Sequence, residues 1–353
     1  MSESTGSGDG MIADITTRIL RDLADPQTVN NARDESWRAP LWRALEENGL
    51  TLAWVGEELG GAGLPLAESF QILRVAGRFA VPVPLAETLV AARLLSAAGI
   101  QPPSGPMTLA PVRPRDRFTL DGDALCGRAR DIPFATEAEH IVVAAPADGG
   151  LRVALLAADG VLSASGKNLA GEPKGVLALD GVRPLAAGIA AGMDGDDVLY
   201  LGATARTVQM AGALEAILDI SVAYAGERVA FGRPIGKFQA VQHNLAQLAS
   251  ETAAAVAASG TAAEALERRT GSLFLDVASA KIRVGEAAGV GAAIAHQAHG
   301  AIGFTKEHVL HRYTHRLWSW RDEFGDESYW AVRLGETVAA AGADSLWPSI
   351  TAA

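Results

Sequence analysis

The hydrophobic period of this chain changes twice along its length, and that change limits what it can fold into. From 11 to about 98 the apolar residues return at helical spacing, as at Ile12, Ile15, Ile19, Leu20 and Leu23, then at Leu41, Leu45 and Leu50. The stretch QPPSGP over 101–106 ends that pattern. Short runs of strand character follow: MTLAPV, RFTLDG, ALCGRA, HIVVAAPA, LRVALLA and GVLALDGV, with turn residues such as Asp121-Gly122 and Gly149-Gly150 between them. From Asp197 the chain returns to Ala-rich helical segments, expected over about 198–228, 238–267, 271–298, 306–318 and 327–342. No fixed-period repeat is present, which argues against a solenoid. The pattern predicts an α+β chain: a disordered tail over 1–10, a helical domain over 11–105, an antiparallel β domain over 106–190 and a helical domain over 191–353.

Composition narrows the function classes. A net charge of -11 and a pI near 5.2 argue against general affinity for nucleic-acid phosphate, which needs clustered Lys and Arg. One cysteine, Cys126, rules out an internal disulfide and a multi-cysteine metal site, and fits a reducing compartment, so a cytoplasmic location is expected. Charged residues are expected to interrupt the apolar runs before they could span a bilayer. The start, MSESTGSGDG, lacks the basic and then apolar regions of a signal peptide.

Several local motifs admit two readings. GEELGGAG over 56–63 reads as a tight interhelical turn or as a phosphate loop, although neither a following Lys-Ser/Thr nor G-x-G-x-x-G spacing is present. His311 and His315 stand four apart, as two metal ligands on one helix face would, but no H-E-x-x-H accompanies them, and a polar, partly exposed helix is the plainer expectation. Cys126 reads as a buried small hydrophobe rather than a nucleophile, having no charged helper nearby. No G-x-S-x-G elbow is present.

The stretch GERVAFGRPIGKFQAVQHNLAQLA over 226–249 differs in kind. It joins a helix end, a Phe-Gly-x-Pro turn and a new helix, with Arg228, Phe231 and Gln239 around the turn. A guanidinium there reads either as a surface arginine or as a holder of diphosphate by paired charge-assisted bonds, helped by the helix N-terminus.

This stretch resembles the acyl-CoA dehydrogenase signature R-x-x-F-G-x-x-I-x-x-x-Q. QAHGAIGF over 297–304, with Glu307, is similar to that family's Q-x-x-G-G-x-G-[FY]-x-x-E, and EELGGAGLPLAES to its first-domain segment. LDGDALCGRARDIPFATEAEHIVVAA looks like its middle domain. The resemblance implies a helical N-terminal domain, a middle antiparallel β domain and a C-terminal four-helix bundle, assembled as a dimer of dimers with FAD at subunit interfaces. It also implies that Arg228, Phe231, Gln239, Gln297 and Gly300 reach across an interface to the adenosine diphosphate half of a neighbour's FAD. Ala301 replaces the motif's second glycine.

Two of the family's parts are missing. The T-E-x-x-[AG]-G-S-D loop, which lines the flavin ring and the thioester, is absent. So is the base that removes the α-proton of an acyl-CoA: the family's two placements fall on Phe324 and near Gly202. Glu323 is the nearest carboxylate and the candidate for a displaced base. In WRDEFGDES, however, clustered acids also read as a solvated helix start with Asp326 as cap. Trp318, Trp320 and Trp330 read as filling a vacated acyl pocket, as docking a partner helix or as packing at a tetramer interface.

Three functions follow from the resemblance. The leading expectation is a subunit that completes the FAD site of a homologous catalytic partner acting on a fatty or steroid side-chain acyl-CoA, with an electron-transfer flavoprotein as acceptor. The second is a self-sufficient homotetrameric dehydrogenase using Glu323. The third is a non-redox acyl-CoA-binding or interaction protein of the same fold.

Overall fold

The computed structural model describes residues 8–122 and 124–351. Of the tail expected over 1–10, residues 1–7 lie outside the described residues, and 8–10 already belong to α1 (Gly8–Ala24). The N-terminal part continues with α2 (Pro26–Asn31), α3 (Arg38–Glu47), α4 (Leu66–Arg78) and α5 (Leu85–Ala97). GEELGGAG takes the turn reading, a single 3₁₀ turn over Glu57–Leu59 that Gly60 ends at φ 83°.

Eight strands follow: β1 (Met107–Ala110), β2 (Arg117–Asp121), β3 (Ala124–Pro133), β4 (His140–Ala147), β5 (Gly150–Ala157), β6 (Leu162–Lys167), β7 (Pro173–Val182) and β8 (Ala186–Ala191). They form two four-stranded sheets, ordered β1-β4-β5-β8 and β2-β3-β7-β6. Pairing is antiparallel except between β1 and β4, which run parallel, a departure from the expected all-antiparallel domain. Ile141 and Val143 of β4 face a core shared with Phe118, Ile132 and Leu177 of the second sheet. Val142 and Ala144 face the helical core instead. Burial on both faces explains why this strand reads as a continuous apolar run rather than an alternating one.

A capping box starts α6 (Gly195–Glu227): the Asp194 side chain accepts from the Asp197 N–H, and the Asp197 side chain accepts from the Asp194 N–H. This helix is long and apolar enough, by length and composition, to pass as a membrane span, contrary to expectation; most of it is buried inside the protein. Being apolar all round, it serves as the central helix of the fold. It crosses α4 so closely that a Cβ on Gly77 would lie 2.0 Å from the Gln209 carbonyl oxygen, and one on Gly212 1.9 Å from that of Arg74. Around it pack α7 (Gln239–Arg268), α8 (Leu273–His299) and α9 (Leu310–Arg321). Two further helices, α10 (Glu327–Ala341) and α11 (Ala343–Thr351), close the described chain.

Cys126 is half-buried rather than buried, and its sulfur accepts the Gly181 N–H at 3.3 Å. On the helix expected to be polar and partly exposed, His311 and His315 are both half-buried. Every residue of α9 from Leu310 to Trp320 is buried or half-buried, because the helix lies against α6 and α8.

Candidate functional site

At one end of the bundle, α6 stops at Arg228, whose N–H still donates to the Tyr224 carbonyl at 2.8 Å. Two short strands, β9 (Val229–Ala230) and β10 (Arg233–Pro234), then pair around Phe231 and Gly232, which have φ of 51° and 79°. Two positive φ angles are what a two-residue type I′ hairpin turn requires. A phenylalanine held there is uncommon, and its ring is 95% exposed, so no packing in this chain accounts for it. Its ring stands edge-on to Phe238 at 6.2 Å, and Gln239 opens α7 exposed beside it.

The second motif lies at the end of α8. Gln297 is exposed, and Gly300 has φ 63° and ψ -144°, a region open in practice only to glycine, with nothing within 4 Å of where a Cβ would stand. Tyr224 stacks on His299 with ring centroids 4.4 Å apart, which ties the ends of α6 and α8 together. The structure thus brings Arg228, Phe231, Gln239, Gln297 and Gly300 to one end of the bundle, all of them exposed.

Behind this end lie five imidazoles. His299 and His308 have ring centroids 4.7 Å apart, and His296 stacks on Phe304 at 3.9 Å. Among the described residues no group of three or more His, Cys, Asp or Glu is placed to hold a metal. Burial is the first cause that lowers the pKa of His296, His299, His308, His311 and His315, and neighbouring imidazoles or arginines add to it at four of them. A histidine whose folded pKa lies below its unfolded value near 6.5 binds more protons unfolded, so stability must fall as pH drops below that value. Urea midpoints measured between pH 7.5 and 5 should fall toward acid, less steeply in His299→Gln than in the wild type. Equal slopes would show that this imidazole does not titrate as described.

At the other candidate position, Glu323 is 3% exposed, not solvated as WRDEFGDES suggested. Its Oε2 accepts from Arg206 Nε at 2.7 Å and lies 2.6 Å from Nη2, while Lys174 Nζ stands 3.6 Å from Oε1. Arg206 in turn donates to Gln209 Oε1 at 2.5 Å and to Glu87. Burial alone would lower the pKa of Arg206, but Glu323 and Glu87 outweigh it and hold the guanidinium above its ordinary value. Burial raises that of Glu87, and Arg206 opposes the rise. Lys281, pushed down to about 8 chiefly by burial, donates to the Arg321 carbonyl at 2.6 Å and so caps the end of α9, where this loop begins.

Phe324 follows, 2% exposed, with φ 55°. Its ring presses on Gly202: a Cβ there would lie 2.2 Å from both Cδ1 and Cε1. The two positions at which a family base was sought therefore meet each other, as a phenyl ring on a glycine. The Phe324 N–H donates to the Val112 carbonyl at 3.1 Å, and Trp330 Nε1–H donates to the Phe324 carbonyl at 3.0 Å. With Lys174–Glu323 and the buried Arg316–Glu172 pair at 2.8 Å, that backbone bond fastens the β region to the C-terminal helices. A cavity of about 270 Å³ remains alongside, lined by Pro111, Arg113, Phe118, Leu199 and Tyr329 among others. Trp320 and Trp330 are buried core residues, and Trp318 is half-buried beside His296 and His315.

Among known proteins the chain is 31% identical to the acyl-CoA dehydrogenase IpdE2 of Mycobacterium tuberculosis over 311 residues, 87% of this chain and 89% of that one. The chain belongs to the acyl-CoA dehydrogenase family. Residues 196–320 match the family described as Acyl-CoA dehydrogenase, C-terminal domain. The chain is also 31% identical to the acyl-CoA dehydrogenase FadE34 of the same organism, of which it spans only 44% of the length. Among solved structures, a chain of the Tcur3481–Tcur3483 steroid ACAD is 29% identical with a TM-score of 0.84, covering 96% of this chain and 99% of that one. A chain of the ChsE4–ChsE5 complex from Mycobacterium tuberculosis has the same fold, with a TM-score of 0.85 at 24% identity, covering 97% and 100%. Within this acyl-CoA dehydrogenase fold, the signal in the sequence for the Arg206 cluster is a lone arginine in the apolar stretch between Val198 and Leu214.

Proposed function

We propose that this chain is the subunit of an acyl-CoA dehydrogenase assembly that completes the FAD site of a homologous partner and carries no catalytic base. The contact between Phe324 and Gly202 carries this reading: an apolar ring occupies both places at which the base was sought, with no room for a further side chain. The exposed Phe231 turn and the open backbone at Gly300 fit a diphosphate-bearing ligand held from outside this chain. The sequence lacks the family's T-E-x-x-[AG]-G-S-D loop, which speaks against a flavin ring held by this chain's own residues. FAD, when bound, supplies the hydride acceptor. Arg228, Phe231, Gln239, Gln297 and Gly300 bind its adenosine diphosphate half, while the partner's residues take the proton and most of the acyl group.

The similarity to a steroid ACAD whose name pairs two components supports a hetero-assembly acting on a bulky acyl-CoA; by analogy with the family, its electrons pass to an electron-transfer flavoprotein. The self-sufficient homotetramer needs Glu323 free to accept a proton, and its carboxylate is engaged by Arg206 and Lys174. Assays of the purified chain alone with fatty and steroid side-chain acyl-CoAs should give no turnover. Glu323→Gln in the assembly should leave kcat within about twofold while weakening the fold. Turnover by the chain alone that Glu323→Gln abolishes would overturn the proposal in favour of the homotetramer.

A further inference from the structure

A cavity of about 310 Å³ lies between the α2–α3 loop, the β6–β7 turn and the buried face of α9, on elements that carry none of the residues assigned to FAD. Four arginines line it: Arg33, Arg38, Arg312 and Arg316. Two of them are neutralised within the chain. Arg38 pairs with Glu35 at 3.0 Å and with Glu137 at 2.5 Å, and Arg316 Nε stands 2.8 Å from Glu172. The remaining acid on the rim, Asp34, spends one carboxylate oxygen on the Ser36 N–H at 3.0 Å.

Arg33 and Arg312 are left without an acidic partner among the described residues. Arg33 is exposed at the mouth, whereas Arg312 is half-buried, and its Nε and Nη2 are buried without an acceptor. The Arg312 carbonyl accepts from Arg316 Nη1 at 2.8 Å, which keeps the two guanidiniums on adjacent turns of one helix. A cation that is desolvated, unpaired and set beside other cations is costly to fold around, and a bound anion removes that cost. Burial and Arg316 push Arg312 down to about 10, which leaves it charged at neutral pH.

We infer that this cavity binds a small oxyanion, a phosphate or a phosphate monoester, held by the guanidiniums of Arg312 and Arg33. The planar fork of arginine matches tetrahedral oxyanions by paired N–H donors. The volume is at the small end of ligand pockets and suits a single anionic group with a short substituent. Trp37, half-buried on the rim, gives that substituent a flat wall.

Calorimetric titration of the full chain, in the assembly in which it purifies, tests this with inorganic phosphate and with phenyl phosphate, at ionic strength matched by sodium chloride. Both probes should bind. Arg312→Gln should weaken them at least tenfold and Arg33→Gln about threefold, while the exposed Arg128→Gln leaves them unchanged. Tighter phenyl phosphate marks a phosphate-ester site and equal binding a free-phosphate site; either supports the shared oxyanion site. Arg33→Gln, at the exposed mouth, keeps the test alive if Arg312→Gln does not fold. Wild-type affinity in both variants would overturn the inference, as would heats that chloride alone reproduces. Competition by FAD would also overturn it, by assigning the cavity to the cofactor.

Discussion

Replacing Arg206 by leucine should destabilise the chain by about 3–5 kcal/mol, the cost typical of breaking a buried ion cluster from one side. Arg206 is the one guanidinium between Glu87 and Glu323, and all three side chains are buried. Without it, two buried carboxylates face each other, with Lys174 3.6 Å from Glu323 and the buried Lys281 as the remaining cations acting on the pair among the described residues. Removing the acids as well should return most of the loss, because the penalty lies in unmatched charge rather than in the loss of a strong net attraction. Urea midpoints of Arg206→Leu and of the triple variant Arg206→Leu/Glu87→Gln/Glu323→Gln check this. A single variant within 1 kcal/mol of wild type would mean that the cluster holds nothing. It would also release Glu323 from the structural role assigned to it.

The second large effect falls on flavin binding and leaves the fold alone. Arg228→Ala combined with Gln297→Ala should weaken FAD in the assembly about 100- to 10,000-fold, since bonds to a charged acceptor contribute roughly 1.5–3 kcal/mol each and two side chains are removed. Both side chains are exposed and make no hydrogen bond among the described residues, so melting of the chain itself should move by less than about 0.5 kcal/mol. The ratio of flavin absorbance to protein after gel filtration, read beside a thermal melt, separates the two effects. Full flavin content in the double variant would remove these residues from the cofactor site.

Much of this was open to reading in the sequence because it is local. The change of period gave the helical, β and helical order, and the turn carrying Arg228, Phe231 and Gln239 is held by neighbours within a dozen residues. Asp326 caps α10 as its place in WRDEFGDES suggested, accepting the Tyr329 N–H at 2.7 Å. What escaped is non-local or of weak propensity. Strand β6, LSASGK, lies largely exposed at a sheet edge, and β8, AAGIAA, is built from residues poor in strand propensity. Glu323 reads as a solvated acid because its partner Arg206 is 117 residues away, and Glu87 lies 119 residues from Arg206 on the other side. Helix α9 starts at Leu310 rather than 306, since residues 300–304 form a 3₁₀ turn stacked on His296.

The half-site reading makes flavin stoichiometry its most direct test. The chain purified alone should be colourless, and the same chain co-purified with a homologous dehydrogenase chain should carry close to one FAD per pair, lost on Arg228→Ala/Gln297→Ala. A yellow homo-oligomer formed from this chain alone, with one FAD per chain, would contradict it.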